Sequence, residues 1–226
     1  MSEQTLHHPA NLGHHFDTLD QQHSANVLGM WVFLATEVLL FGGLFLAYFV
    51  YRTVYHDAFV EGSHHHNIVL GATNTAILIV SSLMMALAVR SAQTNNRRAL
   101  VLFLALTMVF GLTFLGIKAV EYKEAFDTHQ VPGALFQYEG ERPELARQVE
   151  MFSLLYFAMT GTHAIHMLIG LSIVGFILYR SWRGKYNAAY YTPVELGGLY
   201  WHFIDIIWVF LFPLLYLYGR HIPVGG

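Results

Sequence analysis

The sequence predicts an all-α membrane protein, a five-transmembrane-helix antiparallel bundle, on three observations. Of its 226 residues, 55% are hydrophobic and 12% charged, whereas soluble domains carry about a quarter charged residues. Mean hydropathy is +0.43. Five apolar stretches, roughly 26–51, 68–90, 99–122, 149–180 and 194–218, each supply the ~20 residues that a helix needs to cross the hydrocarbon core.

Residues 1–25 are polar and His-rich. They lack the basic start and short apolar run of a secretory signal, so they are expected to be a retained cytoplasmic tail. The first span follows and contains "WVFLATEVLLFGG", with a single acid, Glu37. The second closes at Arg90, and Arg97 with Arg98 open the third. The third ends in "KAVEYKEAF" and leads into the one long connection, which contains "HQVPGALFQYEGERPE". The fourth is "TGTHAIHMLIGLSIVGFILYR", and Arg183 and Lys185 separate it from the fifth. Residues 219–226 form a short external C-terminal tail.

Lys and Arg in short loops mark the cytoplasmic side. Arg90, Arg97, Arg98, Arg180, Arg183 and Lys185 flank the second-to-third and fourth-to-fifth connections, which predicts an N-terminus inside and a C-terminus outside. Zero cysteines exclude disulfides, iron–sulfur clusters and thiol chemistry. The 12 Lys and Arg are scattered and the net charge is only -3, so nucleic acid is excluded as a partner.

Polar groups inside a bilayer need a reason. Glu37 sits near the middle of its span, where an ionised group costs about 2.5 to 3.5 kcal/mol. It should therefore face protein, on the side shared by Met30, Phe33, Phe41, Leu44 and Tyr48, with a partner from another helix. His163 and His166 lie three residues apart on one face of the fourth span, and His202 and Asp205 repeat that spacing on the fifth. These residues read either as interhelical hydrogen-bonding groups, as ligands of a clamped haem, or as a proton- or lipid-handling set. Lys118 and Glu121 suit a helix-end pair near the outer interface, with Lys118 snorkelling toward headgroups. Three His tracts, His7 with His8, His14 with His15, and Ser63 to His66, read as solvated. Gly42, Gly43 and Ala47, and Gly197 with Gly198, mark expected close helix approaches. No nucleotide-binding, zinc-protease or serine-hydrolase motif occurs.

Taken together, "LGMWVFLATEVLLFGGLFLAYF", "NTAILIVSS", "KAVEYKEAF", "TGTHAIHMLIGLSIVGFILYR" and "VELGGLYWHFIDIIWVFLFPLLYL" resemble, in order, subunit 3 of haem–copper cytochrome c oxidase in its five-helix bacterial form. The resemblance covers nearly all of residues 26–218. It implies an accessory, non-catalytic subunit of a proton-pumping terminal oxidase in the bacterial inner (plasma) membrane. Its expected partners are subunit 1 directly, subunit 2, other respiratory subunits and phospholipids. No cofactor is expected in this chain, with haem and copper in the partner subunits, while bound phospholipid is expected. It further implies that Glu37 is the family's intramembrane carboxylate, that His163, His166, His202, Asp205 and Glu121 form a buried polar network, and that Arg180 meets a lipid phosphate. Glu195 matches as well. Lys118 departs from the family pattern, and the long external connection is expected to dock another respiratory subunit or an electron carrier. Three rival expectations stay open. They are the same subunit in a quinol oxidase or nitric oxide reductase, a stand-alone membrane cytochrome using His163 or His166 with His202, and a proton transporter with Glu37 as carrier.

Overall fold

A computed structural model describes residues 15–64, 66–134, 136–138, 140 and 142–219. His7, His8, His14, His65 and the tail beyond Gly219 lie outside the described residues. Among those described, the chain is helical: α1 Leu19–Val54, α2 His56–His64, α3 Ile68–Gln93, α4 Arg97–Asp127, α5 Ala146–Trp182 and α6 Thr192–Tyr216, with a single 3-10 turn at Pro143–Leu145 before α5. Five helices are long and apolar enough to span a membrane. The protein is an integral membrane protein, with α2 a short cap between two spans.

Local chemistry sets the helix ends. Thr18 caps α1 by accepting from the Gln21 amide, which starts the helix inside the polar stretch expected to be tail. Asn67 and Asn96 cap α3 and α4 in the same way. Gly184, at φ 72, ends α5 with the left-handed residue that glycine tolerates. Its amide returns to the Ser181 carbonyl and that of Lys185 to the Arg180 carbonyl.

Helices α3, α4, α5 and α6 pack in a closed cycle, each against two neighbours, and α1 lies outside it against α5 and α6. Burial follows that plan: half of the most apolar window of α6 is buried, against 17% for α1. Trp201 and Trp208 of α6 fill the middle of the cycle and are completely buried. Close approach there depends on small residues. A methyl added at Gly111 of α4 would stand 2.7 Å from the Trp201 ring, and one at Gly197 would stand 2.4 Å from Ile177. Gly42 and Gly43 differ from expectation, since a methyl added at either would meet nothing within 4 Å among the described residues. They sit on the open side of α1, where no helix of this chain approaches.

Candidate functional site

Two polar centres occupy the bundle at different depths. The first joins α1 to α5. Glu37 accepts its partner from another helix: Oε2 lies 2.8 Å from Nε2 of His166. Phe41, one turn along, places its ring 5.2 Å from the same imidazole. His166 Nδ1 is 2.7 Å from the Thr162 carbonyl oxygen. A carbonyl only accepts, so Nδ1 carries a hydrogen. The contact from Nε2 to Glu37 then contains one proton, held either as carboxylic acid beside neutral imidazole or as carboxylate beside imidazolium. Either arrangement removes an isolated charge from the membrane interior, which answers the cost of Glu37.

The second centre lies toward the end of the bundle that carries α2. Lys118 is 3% exposed and Glu121 5%. The expectation of a snorkelling Lys118 is therefore overturned: its helix turns it inward, where hydrogen bonds replace the headgroup region. The ammonium donates to Glu121 Oε2, to the Tyr156 hydroxyl and to the Tyr216 hydroxyl, each at 2.9 Å. All three of its donors are used. The two hydroxyls donate onward to Glu121 Oε1, at 2.8 and 2.5 Å. Rings of Trp208 and Tyr122, both 5.2 Å from Nζ, complete an aromatic wall around the cation. Lys118 and Tyr216 thus tie α4 to α6 across the helix cycle, and Tyr156 ties in α5.

His66 joins this centre. It stacks on Tyr156 at 3.9 Å between ring centroids and brings Nδ1 to 3.9 Å from Glu121 Oε1. The Ser63 to His66 tract is therefore not simply solvated. Ser63 is buried and bonded to the Val60 and Tyr218 carbonyls, and the stacking area on Tyr156 draws His66 inward.

The remaining candidates scatter. His163 does not share the fate of His166: it is packed between Phe114 and Trp208 with no hydrogen bond to either ring nitrogen. His202 pairs with Ser82 at 2.6 Å, and the buried Asp205 has that same Ser82 as its polar neighbour, with neither oxygen in a well-formed hydrogen bond among the described residues. Arg180 lies over the rings of Phe176 and Tyr186 at 5.5 and 5.8 Å. Glu195 stands 3.9 Å from His23, whose Nδ1 lies 3.1 Å from Thr192 Oγ1 and so joins the start of α1 to that of α6. Among the described residues, no group of three or more His, Cys, Asp or Glu is placed to hold a metal ion. Tyr156, Tyr216 and Ser82 were missed by sequence reasoning. A lone tyrosine or serine in an apolar helix carries no signal of its partner, and the only hint was Lys118 spaced three residues before Glu121.

A polytopic helical bundle whose two polar centres tie its helices together has the build of a membrane subunit. Residues 6–220 match the model of the cytochrome c oxidase subunit III family, and the chain belongs to that family. It is 34% identical over 195 residues to a cytochrome c oxidase subunit 3 from Thermostichus vulcanus, covering 86% of this chain and 88% of the relative. It is 29% identical to a quinol oxidase subunit 3 from Bacillus subtilis, over 86% of this chain and 87% of that one. It is also 29% identical to part of a haem–copper oxidase subunit I+III from Aeropyrum pernix, covering 83% of this chain and 22% of that fused protein.

Proposed function

We infer that the chain is the accessory, non-redox subunit 3 of a proton-pumping haem–copper terminal oxidase that reduces oxygen to water. It packs directly on subunit 1, in contact with subunit 2, in a bacterial inner membrane, with its N-terminal side cytoplasmic and residues 219–226 external. Haem and copper belong to the partner subunits. Here the polar centres hold helices together, and the Glu37–His166 pair supports proton uptake by subunit 1. The single observation that carries the reading is the Aeropyrum relative, in which a homologous segment is continuous with subunit I. Arg180, whose guanidinium meets aromatic faces at the end of α5, is free to take a phospholipid phosphate. The connection between α4 and α5 supplies the surface for a further respiratory partner.

The test is co-purification. A C-terminally tagged chain extracted in mild detergent should bring down a large multihelix subunit and its haem spectrum. A colourless chain isolated alone would overturn the reading. A second reading, the same role in a quinol oxidase, is favoured by the Bacillus relative. A copper-bearing subunit 2 in the isolate distinguishes cytochrome c as donor from quinol.

A further inference from the structure

A strap and a small cavity close the α2 end of the bundle. The connection between α4 and α5 folds back rather than projecting outward. Arg142 reaches Glu61 of α2 at 3.3 Å and Asp57 at 3.7 Å, Tyr138 donates to Glu61, and the Gly133 amide donates to Glu150 of α5 at 3.0 Å. Beneath it lies a cavity of mixed lining, in which Thr128, Gln130, Gln137 and Ser153 supply polar atoms among apolar side chains, with His66 and Tyr156 as its inner wall. Its volume open to a water centre is about 20 Å³. About 10 to 15 Å³ on that measure admits one water, so the cavity suits water and protons and excludes an organic ligand.

We propose that His66 is a proton-binding site, loaded from this cavity and held against the Glu121 carboxylate. The imidazole lies between the two: it lines the cavity and presents Nδ1 to Glu121 Oε1 at 3.9 Å. Its side chain is 9% exposed and that of Glu121 6%, and the cavity borders this largely buried imidazole. In the reaction a hydronium in the cavity gives its proton to an imidazole nitrogen. One N–H bond forms, one O–H bond breaks, water remains, and no electron moves. Among the described residues, the titratable groups facing the site include Lys118 and Glu121 of α4, Tyr156 of α5, Tyr216 of α6 and Tyr138 of the strap. With His66 neutral, Lys118 and Glu121 sum to zero. Protonation raises the centre to one positive charge, attracted by Glu121 and repelled by Lys118, and the three phenols offer lone pairs without adding charge. This assignment concerns the α2 end alone and does not depend on the accessory-subunit reading.

The experiment is pH-difference infrared spectroscopy on the purified complex containing the chain, with ¹⁵N-histidine labelling. A histidine band that titrates between about pH 5 and 8 and disappears in His66→Asn is expected. In Glu121→Gln its midpoint should fall by at least about one pH unit, since an opposite charge within about 4 to 6 Å is lost. No titrating band assigned to His66, or an unmoved midpoint in Glu121→Gln, overturns the proposal. Where Glu121→Gln does not assemble, Ser153→Val decides. Filling the cavity should slow deuterium exchange at His66 about tenfold, and an unchanged rate overturns the proposal.

Discussion

The ammonium of Lys118 is surrounded by one carboxylate, two phenols and two further aromatic rings, all from inside the bundle. Removing one partner of a buried pair leaves an uncompensated charge, which costs about 3 to 5 kcal/mol. Lys118→Met should therefore lower the stability of the purified protein by about that amount. Lys118→Met combined with Glu121→Gln should recover most of it, as read from detergent-denaturation midpoints. A second residue-scale expectation concerns the strap. Burial, and then the hydrogen bond to Glu61, raise the Tyr138 phenol above its ordinary 10.0. A raised folded-state value means that the strap's contribution is fully present below pH 10.0 and lost as pH rises beyond it. Proteolytic cutting of the connection between α4 and α5 should accelerate only in that alkaline range, and Tyr138→Phe should abolish the dependence.

Among the helices, glycine position separates close packing from open surface. Gly111 faces the Trp201 ring and Leu171, both buried, so Gly111→Ala should cost about 1 to 3 kcal/mol. Gly42→Ala meets nothing in this chain, and should raise stability by about 0.5 to 1 kcal/mol through helix propensity alone. Thermal unfolding of the two variants measures the contrast. Hydropathy made the five apolar segments legible, because a membrane fixes the length of any crossing helix. It did not distinguish Gly111 from Gly42, since a small residue in an apolar run has the same pattern whether it faces a tryptophan or the outside. It also placed Lys118 by its distance from the helix end, while the direction in which that helix turns it is set by α5 and α6. The need of Glu37 for a partner was readable from its cost. That the partner is His166 and not His163 depends on a rotation of 60 degrees or so about α5, which spacing alone does not assign.

At the scale of the whole molecule, four helices form the cycle and α1 is added to its outside, with most of its apolar surface uncovered. Glu37–His166 is the polar link between α1 and that cycle in the middle of the bundle, while Tyr48, donating to the Leu214 carbonyl, and His23, bonded to the Thr192 hydroxyl, hold its two ends. Glu37→Gln keeps a donor for His166 Nε2 and should leave assembly of the oxidase intact. Glu37→Ala removes both the hydrogen bond and the volume, and should reduce the yield of complete complex, as measured by subunit stoichiometry after extraction. Equal loss in both variants would identify carboxylate beside imidazolium as the form that holds α1.

His166 lies 129 residues downstream of Glu37. At synthesis rates of about 5 to 20 residues per second, Glu37 waits roughly 6 to 26 seconds before its partner emerges. Through that interval the first span is without the imidazole that meets its carboxyl in the finished protein. The polar contact that fixes α1 to the rest of the bundle is thus among the later ones the chain can make, closing only once most of α5 has been synthesised.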